Sequence, residues 1–249
     1  MSDNKPDAVA GLGFKDKEKA CETISILKGR DPDYQKLAIK GLIGRAKRVL
    51  TLTKDKDKLQ NINEAIKTFD DWLKNYENSN MAKENRPYLP LTTMKLFRPL
   101  ADKHNVQSEN SKKFFKAYEK VNGEYKHLRT VESTEKEITW DIIRNTHLKN
   151  IMKKYNDENL DLWDDNLPTK AHLEMIVWSY SPDANRIKKN LTKIEEILGE
   201  NVAESSSDSN NDDVSDNDEE KTRKRRSSSS SQSGSDESPR KKSKSSSKQ

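Results

Sequence analysis

Leu59, Ile62, Ile66, Phe69, Leu73 and Tyr76 follow one another at alternating steps of three and four. Residues spaced this way stack on one side of an α-helix, so the segment carries a continuous apolar stripe that needs a surface to cover it. That surface lies just upstream, where Tyr34, Leu37, Ala38, Leu42, Ala46, Val49 and Leu50 repeat at helical spacing. Pro32 suits the first helical position, because its missing N–H would be unpaired there, and Asp31 before it can cap the free backbone N–H groups. The polar stretch 51–58 is short enough to fold the second helix back on the first. Residues 31–76 are therefore expected to form an antiparallel helical hairpin around which the rest is built.

The same period recurs downstream. Residues 15–28 read as a helix with Ala20, Ile24 and Leu27 inward and Gly29 at its C-cap. The pair Gly11 and Gly13 reads as a loosened lead-in that lets Phe14 pack on the bundle. Gly41 and Gly44 lie inside the first hairpin helix, where each costs about 1 kcal/mol relative to alanine. A small-residue notch for a close helix, or equally a local irregularity of the helix, would account for them. Residues 78–90 form a linker, 91–98 a short helix that Pro99 ends or kinks, and a helix starting at Ser108 or Ser111 carries Phe114, Phe115, Tyr118, Val121, Tyr125 and Leu128, with Gly123 interrupting it. After a charged loop, helices are expected over 140–155, over 167–180 with Thr169 as cap, and from Ser181 and Pro182 to Gly199. Strand-like alternation is absent. The expected fold class is all-α, a multi-helix bundle of about seven helices.

Composition sets the domain limits. Hydrophobic residues make up 31% and charged residues 36% of the chain, and residues 200–249 contain only Val202, Ala203 and Val214 as apolar side chains. Such a segment cannot offset the entropy lost on ordering and is expected to be a disordered tail. The organisation expected is a disordered 1–10, a helical domain 11–199 with a candidate division near 80 (11–78 and 88–199), and the tail 200–249.

Motifs of catalysis are missing. The single cysteine, Cys21, excludes an internal disulfide, and His104, His127, His147 and His172 form no metal-binding spacing. Asp157, Asn159 and Asp161 imitate the start of a calcium loop, yet Leu162 stands at its glycine position and Pro168 at its glutamate position. No nucleotide loop or nucleophile elbow occurs. The expectation is a protein that is not an enzyme, with no catalytic residue, cofactor or metal. No run approaches the roughly 18 apolar residues of a membrane span, so no membrane partner is expected.

Charge points to binding. Lys36, Lys40, Arg45, Lys47 and Arg48, followed by Lys54, Lys56 and Lys58, are candidate phosphate contacts. The tail divides by sign: 200–220 holds nine acidic residues and no basic one, and 221–249 holds ten basic and two acidic. Arg223, Lys224, Arg225 and Arg226, with Arg240, Lys241 and Lys242, have the look of a nuclear localisation signal that an import receptor would grip. Ser205, Ser209, Ser215 and Ser233 each have an acidic residue three positions on, the pattern of acidophilic kinase acceptors, and Ser238 precedes a proline. Each phosphate would add about 1.5 to 2 negative charges. The reading is a nuclear helical adaptor that binds a protein partner. Its tail would supply import and weak contacts with nucleic acid or chromatin. Direct RNA or DNA binding by residues 36–58 is the alternative. Trp72, Trp163, Trp178 and Tyr88 are candidate partner anchors.

Overall fold

The computed structural model describes residues 8–207, and its first packed group comprises α1 (Lys17–Leu27), α2 (Pro32–Leu52) and α3 (Lys56–Asn78). Ile62, Ala65, Phe69 and Tyr76 of α3 are buried, and Phe69 packs with Ile39, Leu42 and Ile43 of α2 and Ala20 and Leu27 of α1. The hairpin turn is tighter than the polar stretch suggests. Only residues 53–55 separate the helices, because the Asp55 carboxylate accepts from the Asp57 and Lys58 N–H groups and starts α3 early. Phe14 packs against this cluster, and the lead-in is pinned by paired bonds between Gly13 and Thr23. Gly29 ends α1 with φ +83, and a Cβ there would come within 3.2 Å of Ile142. A side chain at that position meets both backbone strain and a neighbour.

The rest of the chain surrounds two further apolar clusters. The first joins α4 (Leu91–Lys103), α5 (Glu109–Lys120) and α6 (Trp140–Glu158) through Met94, Phe114, Tyr118, Trp140, Leu148 and Trp178. The second joins α4 to α7 (Lys170–Ile176), α8 (Ala184–Lys189) and α9 (Leu191–Ser207) through Phe97, Leu100, Leu173, Ile187 and Ile194. Among the described residues there are nine α-helices, with short 3₁₀ turns at Met81–Glu84 and Tyr125–Arg129. The bundle is all-α in class.

Several expectations from the sequence are corrected. Pro99 lies inside α4 and does not end it, since Leu100 and Ala101 beyond it are buried and offset the lost backbone bond. The helix begun by Ser108 stops at Lys120, where Asn122 and Gly123 turn left-handed and the Gly123 N–H reaches back to the Tyr118 carbonyl. Strand pairing does occur: β1 (Trp163–Asp164) and β2 (Leu167–Pro168) form a minimal hairpin turned at Asp165, so α7 is shorter than the 167–180 expected. The last helix is broken at Asn190 and then runs through Gly199 to Ser207, because a helix tolerates one glycine at modest cost. The remainder of the tail, 208–249, and residues 1–7 lie outside the described residues.

Candidate partner-binding face

One side of α2 has no partner among the described residues. Gln35, Ile39, Leu42, Ile43 and Ala46 form its buried line. Leu37, assigned to that line by spacing, falls on the opposite side because two residues along a helix turn the side chain by about 200°. It is 70% exposed, and Leu52 at the end of the helix is 79% exposed. Between them, on the same outward line, stand Gly41, Gly44 and Arg48. A Cβ built at Gly41 or Gly44 would meet nothing within 4 Å. Both glycines thus face open space, and no helix among the described residues lies against them.

Of the five candidate phosphate contacts, four keep an exposed cation. Lys40, Arg45, Lys47 and Arg48 are exposed, and no carboxylate among the described residues pairs with them. Lys36 is different. Its Nζ lies 2.6 Å from Glu77 and 4.8 Å from the centre of the Tyr76 ring, which ties α2 to α3. That contact raises the Lys36 pKa and lowers that of Glu77. Lys54, Lys56 and Lys58 extend the exposed basic character around the turn.

A second polar assembly, unforeseen in the sequence, joins α1 and α2 to α6. Arg30 reaches Asp141 at 2.8 Å, and both side chains are buried. Its guanidinium also donates to the Arg129 carbonyl and the Thr139 hydroxyl. Arg144 is fully buried and donates to the carbonyls of Trp178 at 2.9 Å, Arg86 at 2.9 Å and Ser179 at 3.1 Å, with its guanidinium 3.5 Å from the Tyr88 ring centre. Asp31 serves this assembly and not the α2 N-terminus: its side chain makes no capping bond and faces Arg144 at 3.8 Å and Arg129 at 3.9 Å. Burial, opposed in part by Arg144, raises its carboxyl pKa. Arg129 lies over the Tyr34 ring at 3.9 Å and borders a cavity of about 290 Å³ with Asp33, Arg86, Tyr88 and Tyr125. The faces of Tyr34 and Tyr88 are thus covered by guanidinium groups. That leaves no open aromatic cage for a cationic ligand.

The candidate anchors are mostly occupied. Trp178 is 3% exposed and stacks on His147, Trp163 donates to Asp183 and carries Arg186 over its ring, Trp72 packs in the first cluster, and Tyr88 lies under Arg144. His172, which no sequence motif marks, is fully buried. Its Nε2 lies 2.8 Å from the Ser181 hydroxyl and its Nδ1 3.0 Å from the Leu162 carbonyl. The arrangement imitates a serine–histidine pair, but Ser181 is itself buried and also accepts the Asp183 N–H. Burial lowers the imidazole pKa to about 4, too low for a base at neutral pH. The pair holds the hairpin against the chain before α8. Among the described residues no three His, Cys, Asp or Glu side chains gather as a metal group, and no helix is long and apolar enough to cross a membrane.

Ser205 falls on the last turns of α9. Ser209, Ser215, Ser233 and Ser238, and the clusters Arg223, Lys224, Arg225, Arg226 and Arg240, Lys241, Lys242, lie outside the described residues. Compared with protein-family models, curated proteins and solved structures, the chain matches none of them.

Proposed function

We propose that this protein is a non-enzymatic helical adaptor that holds a protein partner on the outward face of α2, and that its basic tail clusters carry it into the nucleus. The observation that carries the reading is the line from Leu37 to Leu52, two large apolar side chains left in solvent on one face of one helix. Scattered surface leucines are ordinary, but two on one face of one helix, with two glycines and Arg48 between them, offer ends that a partner lying along the helix would cover. Direct nucleic-acid binding is the second reading, favoured by the four exposed cations beside that line.

Proximity labelling in cells tests both. The full chain is compared with a Leu37→Asp/Leu52→Asp variant and with a chain lacking 221–249. The adaptor reading expects a focused set of protein neighbours that the double variant loses while its helical circular dichroism is kept. The tail-truncated chain is expected to leave the nucleus. Unchanged neighbours in the double variant would refute the adaptor, and RNA or DNA as the retained partner would favour the second reading.

A further inference from the structure

We infer that the segment held on α2 is itself an α-helix, with an apolar stripe and acidic flanks, lying along α2 from Leu37 to Leu52. The inference rests on the adaptor reading and names its partner's chemistry. Leu37 and Leu52 set the ends of the surface. Fifteen residues of helix separate them, about 22 Å, or roughly four turns. That span matches an ordinary helix, whose own apolar residues repeat every three to four positions along it.

The relief between the leucines suits a helix as well. Gly41 and Gly44 are three apart and therefore neighbours on the outward surface. Without side chains they lower that surface between the two leucines. A partner helix can then lie closer than the 8–10 Å typical of helix packing, with its apolar residues in the depression. Both glycines weaken α2 as a helix, and an added methyl group at either would meet nothing among the described residues, so packing there gives no reason for them. A partner that approaches closely does. An extended peptide is a poorer fit, because a helix offers no row of free N–H and C=O groups for strand addition.

Charge selects among helices. Lys40 and Lys47 flank the line on one side, Arg45 on the other, and Arg48 lies on it; none makes an ion pair within 4 Å among the described residues, Lys40 acting on Glu77 only at longer range. Aspartate or glutamate at the edges of the partner's stripe would meet all four. A second copy of this chain would set the same cations against one another, which charge complementarity disfavours. A nucleic acid would satisfy the cations but leave Leu37 and Leu52 in water.

The test is photo-crosslinking in cells, using the full chain with p-benzoylphenylalanine at exposed Thr51, beside Leu52, and mapping the adducted segments by mass spectrometry. The expected adduct is a segment of another protein with helical apolar spacing and acidic flanks. Its yield should fall at least tenfold in Lys40→Glu/Lys47→Glu and in Gly44→Leu. Thermal melting of both variants confirms that they fold, and the milder Gly41→Ala/Gly44→Ala pair, expected to melt higher than the parent yet crosslink less, serves if Gly44→Leu does not. A protein adduct at a basic or non-helical segment, or one indifferent to the glycine and charge variants, would overturn the acidic helix and leave the adaptor standing. Adducts only to this chain itself, only to nucleic acid, or none at all would overturn both.

Discussion

Replacing Arg144 with methionine should be among the most damaging single changes in the domain. Methionine keeps most of the stem's volume and removes all five N–H donors. The consequences are threefold. The Trp178 carbonyl, bonded at 2.9 Å within the interior, is left without its donor. The carbonyls of Arg86 and Pro87, bonded at 2.9 and 3.3 Å, lose theirs but lie nearer solvent and can partly rehydrate. The Ser179 carbonyl is spared, since it also accepts the Leu89 N–H at 2.8 Å. Asp31 then keeps Arg129, at 3.9 Å, as its one cationic partner among the described residues, beside the Asn145 amide that donates to it at 3.3 Å. A buried acceptor left unsatisfied costs about 1–3 kcal/mol, and breaking a buried ionic partnership about 3–5 kcal/mol; the overlapping losses together come to about 3–5 kcal/mol. Against a usual domain stability of about 5–15 kcal/mol, that is a large share. Urea unfolding followed by circular dichroism measures it, with the midpoint expected to fall by roughly 1–3 M. Arg144→Lys should recover less than half, because one ammonium cannot reach the Trp178 and Arg86 carbonyls together. A loss under about 1 kcal/mol, or full rescue by lysine, would refute the account of Arg144 as a multi-carbonyl clamp.

Other consequences are simpler to check. His172 is held neutral by burial, with a pKa near 4 against about 6.5 in the unfolded chain. The unfolded state therefore binds the extra proton between those values. Stability should be full above about pH 6.5 and fall as pH drops toward 4, and the His172 ring resonances should stay those of neutral imidazole at pH 5.5. Gly29→Ala should destabilise by about 1 kcal/mol or more, read from the thermal midpoint, since φ +83 and Ile142 at 3.2 Å both oppose it. Asp55→Ala should cost about 1 kcal/mol in the same assay by removing the α3 cap. Gly41→Ala should raise stability by about 0.5–1 kcal/mol, because its helix has open space there.

The helical framework is legible in the sequence because apolar spacing reports directly on helix faces. The stripe from Leu59 to Tyr76 and the caps at Ser108 and Thr169 are where the residues themselves place them. The features that spacing does not reveal are decided by contacts distant in sequence. Asp31 has the local chemistry of a cap, yet two arginines more than 90 residues away draw its carboxylate elsewhere. Asp141 and Arg144 of α6 escape notice in the sequence, since nothing local shows that Arg30 and four carbonyls will enclose them. Leu37 misleads in the other direction: an apolar residue near helical spacing reads as inward, and the turn angle relative to Ile39 places it out. The basic residues of α2 are recognisable as a group, but only the fold separates Lys36, bound to Glu77, from the four that make no ion pair within 4 Å among the described residues.

The joint between the first three helices and α6 has a consequence for how the chain is made. Helices α1 to α3 complete an apolar cluster of their own. Their link to the later helices depends heavily on Arg30 and Asp31, whose partners Arg129, Asp141 and Arg144 leave the ribosome about a hundred residues later. During that interval the waiting surface carries charges that water solvates well. A nascent chain can therefore pause with its first hairpin formed and a water-compatible docking edge, and the later arginines and aspartate then close the joint in a single register.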